Sequence, residues 1–246
     1  MNVISSSYGN DSCALVQWAV ENNLKDVQVV FIDTGWSGEG WIERVRKMEK
    51  WVEEVGFKPV HLTPLTQFES LIRNKKGFPN QRYQWCSAAL KVVPFLEYMD
   101  KKDPDGEATI LIGKRREESK ARADTPEIIE SSEYHGDRKV WHPLYKHSTE
   151  ERDALLARGG IEPLPHRSQE CAPCVNANKS DLRMLGDYEV ERVRRLEAQV
   201  GKTMFRPKPH KGAVGILEII KWANSAHGKY APNQEDMFCT NGYCGI

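Results

Sequence analysis

The alternation of short apolar runs with helical patterns constrains the fold of this chain more than any other sequence feature. Val27–Ile32 and Thr109–Ile112 are mainly apolar runs of strand length, and Val3–Ile4 and Pro59–Leu62 are less marked examples. Segment 41–55 repeats apolar residues with the helical period. Strands that alternate with helices predict a parallel sheet covered on both faces, so we expect an α/β, doubly wound fold.

Composition limits the class of protein. The chain has 246 residues, and 35 basic residues balance 35 acidic ones, which argues against a strongly basic nucleic-acid binder but not against a local basic groove. No apolar run is long enough to cross a membrane, and the first residues lack the basic and apolar regions of a signal peptide. We therefore expect a cytoplasmic protein without membrane association.

In that reducing compartment the six cysteines are expected to be metal ligands or reactive thiols rather than disulfides.

The second half of the chain has a different organisation. Ser148–Glu151 has a capping-box pattern that starts a helix, and residues 178–200 have a charged helical pattern. We predict that residues 1–165 form a nucleotide-binding domain. Residues 166–246 then form a helical extension that carries a C-x-x-C motif and two further cysteines in a polar tail.

The loop between the first strand and the first helix is a candidate anion site. It reads Ser7-Tyr8-Gly9-Asn10-Asp11-Ser12 and lies where the strand ends, at the edge of a parallel sheet where ligands bind. Hydroxyl groups, a glycine and the free amide groups of a helix start can together hold an anion. An ordinary helix N-cap formed by Ser7, Asp11 or Ser12 explains the same residues.

A second candidate site follows the run Thr109–Ile112. Its five basic residues are Lys114, Arg115, Arg116, Lys120 and Arg122. Guanidinium groups bind phosphate or sulfate oxygens through paired hydrogen bonds, and this segment lies at the same edge of the predicted sheet. The alternative interpretation is a solvent-exposed helix start of mixed charge.

Five cysteines are candidates for metal binding or catalysis. Cys171 and Cys174 form a C-x-x-C motif in a polar loop, so both sulfur atoms can reach one metal. Cys239 and Cys244 lie in the tail, and Cys86 lies at a predicted helix start. Two sites compete. A Zn²⁺ site would use the motif cysteines and both tail cysteines, whereas an iron–sulfur cluster would use Cys86, the motif cysteines and one tail cysteine.

Five motifs in family order resemble the phosphoadenylyl-sulfate (PAPS) reductase-like superfamily. The first motif is the loop at residues 5–12. Within it, Ser5–Gly9 resembles the start of PAPS reductases. Ser7–Ser12 resembles the PP-loop of ATP pyrophosphatases, with Tyr8 in place of a glycine and Asn10 in place of a frequent lysine. The other four motifs are Phe31–Gly35, Trp85–Pro94, Gly113–Ala123 and Lys139–Leu144, the last of which resembles the strand that closes the sheet.

The resemblance implies an adenine nucleotide α-hydrolase-like fold with an adenine nucleotide bound across the loop 7–12. Asp33 and Gly35 would lie near the adenine and ribose, and Glu118 would orient an arginine. The implied nucleotide-binding residues are Ser5, Ser6, Ser7, Tyr8, Gly9, Asp11, Ser12, Asp33, Gly35, Lys91 and Gly113, together with Arg115, Ser119 and Arg122 as phosphate or sulfate contacts.

The resemblance also favours the iron–sulfur site over zinc. Cluster-containing sulfonucleotide reductases use a cysteine pair near the Cys86 position and a later C-x-x-C motif, and here Ser87 replaces one member of that pair. The implied ligands of a 4Fe–4S cluster are Cys86, Cys171, Cys174 and Cys239 (or Cys244).

The end of the chain resembles the E-C-G-[IL]-H tail that carries the catalytic cysteine of sulfonucleotide reductases. Tyr243 replaces the glutamate of that tail, and the final histidine is missing. If Cys239 completes the cluster, Cys244 is free to be the catalytic nucleophile. If Cys244 is the cluster ligand, this chemistry is lost.

These features predict an enzyme of sulfur metabolism. It would reduce adenylyl sulfate (APS) or its 3′-phosphate (PAPS) to sulfite, with AMP or PAP as the second product. A thiol reductant such as thioredoxin is the implied partner, and aromatic residues on the helices indicate a homodimer.

Two alternative functions remain open at this point. The first is an ATP pyrophosphatase of the PP-loop type that adenylates a nucleobase of tRNA or DNA for sulfur insertion, with Asp11 binding Mg²⁺. The second is a non-catalytic protein that binds a nucleotide or a cluster.

Overall fold

The computed structural model describes residues 1–205 and 214–225, and within them six strands form one sheet. The strands are β1 (Asn2–Ser5), β2 (Val27–Ile32), β3 (Lys58–Leu62), β4 (Thr109–Ile112), β5 (Ile128–Ser132) and β6 (Arg138–Trp141). Their order across the sheet is β3-β2-β1-β4-β6-β5. Neighbouring strands are parallel except β5 and β6, which are antiparallel. The predicted α/β fold is confirmed.

Helices cover both faces of the sheet. They are α1 (Asn10–Glu21), α2 (Trp41–Glu54), α3 (Phe68–Lys75), α4 (Trp85–Ser87), α5 (Val93–Lys102), α6 (Lys120–Ala123), α7 (Thr149–Arg158), α8 (Lys179–Arg183), α9 (Asp187–Val200) and α10 (Gly215–Asn224). A π-helical segment, Ala88–Val92, joins α4 to α5, and Pro94 lies at the start of α5, where a missing amide hydrogen is tolerated. Across residues 1–205 and 214–225, none of the helices has the length and apolar character that crossing a membrane requires.

The antiparallel edge strand β5 corrects the prediction of a purely parallel sheet. Residues 139–144 also do not close the sheet, because β6 pairs with β4 on one side and with β5 on the other. The sequence of β5 is Ile-Ile-Glu-Ser-Ser, and most of it is exposed. An exposed edge strand needs no apolar run, so no such run marks it in the sequence.

Two helix starts test the predictions for the second half of the chain. The capping box is confirmed, since Ser148 Oγ accepts the Glu151 amide hydrogen at 3.2 Å and Glu151 Oε2 accepts that of Ser148 at 2.7 Å. The single helical pattern over residues 178–200 is wrong, because α8 and α9 are separate. The Glu189 carboxylate accepts the Gly186 amide hydrogen at 3.0 Å and so begins a new helix at this glycine.

Three hydrophobic clusters pack the described elements together. One lies between the sheet and α1, α2 and α7, and another lies between the opposite sheet face and α5. The third joins Trp36, Phe68 and Leu90 to Val193 and Ile216 on α9 and α10. The domain division at residue 165 stays a prediction, and the residues on its two sides bury apolar surface against each other in this third cluster.

Candidate active site

A cleft of about 1020 Å³ lies at the carboxyl ends of β1 and β4. The loop after β1, the basic segment 113–122, α4 and the loop 164–177 line it, at the sheet edge where ligands are expected. The predicted site residues that line this cleft are Ser5, Ser7, Gly9, Asp11, Ser12, Cys86, Lys91, Gly113, Arg115, Ser119, Arg122, Cys171 and Cys174. Four other predicted residues, Ser6, Tyr8, Asp33 and Gly35, do not line it. Cys239 and Cys244 fall outside the residues that the structure describes.

The loop after β1 is organised by its own serines. Ser6 Oγ accepts the Tyr8 amide hydrogen at 3.1 Å, and Ser7 Oγ accepts that of Gly9 at 3.3 Å. Ser12 Oγ donates to the Gly9 carbonyl oxygen at 3.2 Å. Gly9 is the N-cap residue of α1, and no side chain caps this helix. The N-cap interpretation of Ser7, Asp11 or Ser12 is therefore wrong, and the helix start faces the cleft without a side-chain acceptor.

Tyr8 occupies the position where the PP-loop has a glycine. Its φ of 55° lies in the left-handed region that a glycine adopts without strain. The ring is fully buried against Phe31, with ring centres 5.8 Å apart. Burial, together with the Glu49 carboxylate, raises the pKa of the phenol. The structure thus places the Tyr8 side chain in the core rather than against a nucleotide.

The Arg115 guanidinium is buried and forms ion pairs with two carboxylates. Its side chain is 4% exposed, its Nε donates to Asp11 Oδ1 at 2.6 Å, and its Nη1 lies 3.1 Å from Glu117 Oε2. Arg152 is a weaker second cation for Asp11, at 3.8 Å. In this arrangement Arg115 orders the loop after β1 against the basic segment. Its phosphate contact stays a prediction.

Gly113 is required by the close approach of β4 to α1. A Cβ atom on Gly113 would lie 2.7 Å from the Asp11 carbonyl oxygen, so Gly113→Ala must displace one backbone from the other. We expect this substitution to lower the free energy of unfolding by about 1–3 kcal/mol in urea denaturation. Gly77→Ala is the control, because a Cβ there meets only the flexible Lys202 side chain. An equal loss in both variants would contradict the steric argument.

Ser119, Glu118 and Arg122 form a small network at the far end of the basic segment. Ser119 Oγ accepts the Arg122 amide hydrogen at 2.9 Å and caps α6. The Glu118 carboxylate pairs with the Arg122 guanidinium and also accepts the Arg115 amide hydrogen at 2.9 Å. Glu118 thus holds an arginine in place, as the resemblance implies.

The turn after β2 presents Thr34, rather than Asp33 or Gly35, to the cleft. Asp33 Oδ1 accepts the Gly35 amide hydrogen at 2.9 Å. Gly35 has a φ of 67° and packs so closely on Gln67 that a Cβ would lie 2.6 Å from its side chain. Asp33 and Gly35 therefore shape this turn. The Thr34 hydroxyl lies 4.0 Å from Cys171 Sγ.

Lys91 carries a buried positive charge among the cysteines. It is 8% exposed, and its ammonium group donates to Glu170 Oε1 at 2.5 Å. Burial disfavours the charged form, but the Glu170 carboxylate and the neighbouring Cys171 outweigh burial, so the Lys91 pKa is raised. Sequence reasoning missed Glu170, although an acidic residue next to a cysteine motif was a usable signal.

Cys86, Cys171 and Cys174 line one wall of the cleft. Burial is the largest cause that raises the pKa of each thiol, to about 12 for Cys86. Cys174 raises the pKa of the other two thiols further, while Lys91 lowers the pKa of all three. These thiols are therefore neutral at pH 7 unless an additional cation joins them.

Trp36 fixes the C-x-x-C loop to the turn after β2. Its carbonyl oxygen accepts the Ala172 amide hydrogen at 2.8 Å, and its Nε1 donates to the Pro173 carbonyl oxygen at 3.0 Å. Arg192 of α9 donates to the carbonyl oxygens of Gly35 and Ser37 at 2.8 and 2.9 Å, and its guanidinium lies 4.2 Å from the Trp36 ring centre. Sequence reasoning missed Arg192, because a charged helix gives no local sign that one arginine is buried.

The comparisons with known proteins identify the family. Residues 1–190 match the family model of the phosphoadenosine phosphosulfate reductase domain. The chain belongs to this family.

Relatives of this PAPS reductase family member include an uncharacterized 37.8 kDa protein from the gpa 5′ region of Escherichia phage 186. It is 28% identical to the chain, over all of the chain and 96% of the relative. An uncharacterized protein of Methanocaldococcus jannaschii is 29% identical over 51% of the chain and 25% of its own length. The crystal structure of PAPS reductase from Candida auris, a phosphate complex, has a TM-score of 0.48 and 18% identity, over 66% of this chain and 74% of that one.

The family resemblance implies a 4Fe–4S cluster, and the structure provides three of the implied ligands on one wall. Soft thiolate ligands suit iron–sulfur clusters and zinc, so the type of donor fits. Within residues 1–205 and 214–225, no three His, Cys, Asp or Glu side chains converge on one metal position. The fourth implied ligand, Cys239 or Cys244, lies outside the described residues. The cluster, with zinc as its alternative, stays a prediction.

Proposed function

We propose that this family member reduces a sulfonucleotide, APS or PAPS, to sulfite and releases AMP or PAP. The observation that carries the proposal is a single cleft that joins an anion-binding edge to a wall of thiols. The uncapped start of α1 and the basic segment 113–122 form the anion-binding edge. Cys86, Cys171 and Cys174 form the thiol wall. A phosphate bonded to an oxidised sulfur group matches both parts of the cleft.

The proposed chemistry is thiol attack on sulfur. The Cys244 thiolate attacks the sulfur atom, a new S–S bond forms, and the S–O bond to the phosphate breaks so that AMP or PAP leaves with the electron pair. A dithiol such as thioredoxin then attacks Cys244 Sγ and expels sulfite, and its second thiol resolves the mixed disulfide. The dithiol thus supplies the two electrons that reduce the sulfur.

The residues of the cleft bind and orient the substrate in this proposal. The amide groups at the start of α1 hold the 5′-phosphate, and Lys91 keeps a positive charge against the thiol wall. A 4Fe–4S cluster held by Cys86, Cys171, Cys174 and a tail cysteine would tie α4 to the C-x-x-C loop and to the tail. A homodimer stays a prediction.

The proposal is tested by measuring sulfite and pyrophosphate in parallel. Protein purified without oxygen is incubated with APS, PAPS or ATP and a dithiol, and we expect sulfite from a sulfonucleotide and no pyrophosphate from ATP. Cys244→Ser is expected to lower sulfite production at least about 1000-fold, because the nucleophile is lost. Cys13→Ala removes a fully buried thiol that does not line the cleft, so it should retain turnover. Full turnover by Cys244→Ser would refute the thiol mechanism.

The same assay separates the two alternatives. Pyrophosphate from ATP alone would support the ATP pyrophosphatase, for which Mg²⁺ and a nucleic-acid substrate would then be sought. The structure favours the reductase here, because the Asp11 carboxylate that would bind Mg²⁺ already accepts from Arg115 at 2.6 Å. Nucleotide binding with neither product would support the non-catalytic protein.

A further inference from the structure

One exposed surface beside the cleft carries a concentration of positive charge. Segment 70–96 contains five basic residues and no acidic one, although basic and acidic residues are equal in number over the whole chain. Four exposed cations in and near this segment form no salt bridge with any carboxylate of residues 1–205 and 214–225, namely Lys75, Lys76, Arg82 and Lys202. These four residues and Tyr83 form the basic patch.

Two contacts bring the lysines of the basic patch together. Arg73 at the end of α3 donates from Nε to Gln199 Oε1 of α9 at 2.9 Å, so the ends of these two helices lie side by side. Lys202 follows α9, and its ammonium group lies 3.4 Å from the position of a Cβ atom on Gly77, next to Lys76. Cations from two segments that are distant in the sequence therefore share one surface.

Helix dipoles account for the lysines but not for Arg82. Lys75, Lys76 and Lys202 lie at or just after the carboxyl ends of α3 and α9, where a cation is favourable. Arg82 lies just before the start of α4, where a helix dipole disfavours a cation. An external anion would favour a cation at this position.

A tight turn holds Arg82 and Tyr83 at the surface. Asn80 Oδ1 accepts the amide hydrogens of Arg82 and Tyr83 at 2.9 and 3.0 Å. The Tyr83 side chain is 60% exposed, and the Arg82 guanidinium lies 5.6 Å from the ring centre. Gln84, the next residue, is buried and lines the cleft. The turn therefore presents a cation and an aromatic ring directly beside the cleft.

We propose that the basic patch binds the backbone of a single-stranded nucleic acid, with one base stacked on Tyr83. Surfaces that bind single strands combine basic side chains, which contact phosphates, with aromatic rings on which bases stack. Arg82 follows Lys76 so closely in the sequence that their Cα atoms are at most about 20 Å apart, a distance that several nucleotides span. The lysines would also attract an acidic protein, but carboxylate side chains offer no flat surface for the Tyr83 ring.

This inference does not depend on the proposed function, because no residue of the basic patch lines the cleft. The sulfite assay and the nucleic-acid titration therefore fail independently of each other. Loss of one result leaves the other standing.

The test measures the fluorescence anisotropy of a labelled single strand of about 20 nucleotides as the full chain is titrated into it at several salt concentrations. DNA and RNA strands of the same sequence are compared, and tighter binding of one identifies the preferred sugar. We expect the triple variant Lys75→Gln, Lys76→Gln, Arg82→Gln to weaken binding about tenfold or more. The slope of log affinity against log salt should fall by about 2, because each phosphate contact to a single strand contributes about 0.7.

Tyr83 is tested by a pair of substitutions. Tyr83→Ala should weaken binding about fivefold or more, because stacking on one base is lost, whereas Tyr83→Phe should retain the affinity. A duplex of the same sequence should bind less tightly than the single strand, since its bases are already stacked. If Tyr83→Ala changed nothing and poly-L-glutamate bound as tightly as the single strand, the basic patch would suit an acidic protein and the inference would be overturned.

Two control variants locate the bound strand. The triple variant Lys25→Gln, Lys101→Gln, Lys102→Gln removes the same charge from exposed lysines at the opposite edge of the sheet and should leave affinity and salt slope unchanged. Lys114→Met removes a cation that lines the cleft and should also leave both unchanged. Equal losses in the two triple variants would mean that affinity follows net charge alone. A loss in Lys114→Met would place the strand in the cleft, and either result would overturn the inference.

Stability is checked by thermal unfolding. The unfolding temperature of the basic-patch triple variant should not change, because the three side chains are exposed. If it falls, Arg82→Gln alone decides the question, with an expected loss of affinity of about threefold. A parent protein that binds neither strand at about 50 mM salt would overturn the inference outright.

Discussion

Lowering the pH from 7 to 4 is expected to remove several kcal/mol of stability through His135 and His142. Both are buried, with exposures of 4% and 1%, and burial is the main cause that lowers the pKa of each to about 4. The nearby Lys114 ammonium group lowers both values further. His135 Nε2 has no hydrogen-bond partner among the described residues, so no protein group there accepts a proton bound to it.

The sign follows from proton binding in the two states. A histidine in the unfolded chain has a pKa of about 6.5. Between pH 6.5 and about 4, His135 and His142 therefore bind protons in the unfolded chain but not in the folded chain. Stability is therefore fully present above this window and is lost as the pH falls through it, by about 3 kcal/mol for each histidine. Urea denaturation at intervals from pH 7 to pH 4.5 measures the loss.

Replacement of each histidine isolates its share of this loss. His135→Gln and His142→Gln should each reduce the dependence of unfolding free energy on pH, and the double variant should make it shallower still. Because each protonated ring would raise the cost of protonating the other, the effects should not be strictly additive. A stability that stays constant between pH 6.5 and pH 5 in the unaltered protein would show that these imidazoles titrate normally.

Arg115→Met is expected to destabilise the protein by about 3 kcal/mol and to weaken nucleotide binding about 100-fold or more. The substitution removes a guanidinium group that is 4% exposed and leaves Asp11 with only Arg152, 3.8 Å away. A buried pair that loses one member leaves an uncompensated charge. The released Asp11 and Glu117 carboxylates would also repel an incoming phosphate at the anion-binding edge. Denaturation in urea and titration with AMP measure the two effects.

A double substitution separates the ion pair from simple loss of packing. Asp11→Asn removes the charge that Arg115→Met would strand, so Asp11→Asn with Arg115→Met should be more stable than Arg115→Met alone. Arg158→Met breaks an exposed pair with Glu21 and serves as the control, with little change expected in either measurement. If the double variant were no more stable than Arg115→Met, the loss would come from packing and not from Asp11.

The parts of the structure that depend on local patterns could be predicted from the sequence. Val27–Ile32 forms β2 and Thr109–Ile112 forms β4, because a buried parallel strand requires a short apolar run. The turns that follow buried strands meet at one sheet edge, so the loop after β1 and the basic segment were expected to lie together. The cleft confirms this arrangement.

The parts that depend on distant partners could not be predicted. Arg115 and Asp11 are 104 residues apart, and nothing near either one shows that the arginine pairs with this carboxylate instead of binding a phosphate. The Tyr8 side chain lies in the core, and the Tyr8 backbone has a positive φ. A positive φ at a tyrosine cannot be predicted from the residue type. β5 escaped prediction since an exposed edge strand needs no apolar run.

The contact between Arg192 and the turn after β2 has a consequence for synthesis of the protein. Gly35 and Arg192 are 157 residues apart, so a ribosome working at about 5–20 residues per second leaves about 8–30 s between them. During that interval Trp36 and Phe68, both buried in the finished protein, lack the cover of α9 and α10. The nascent chain thus presents an aromatic pair that chaperones can bind and that favours aggregation if translation stalls.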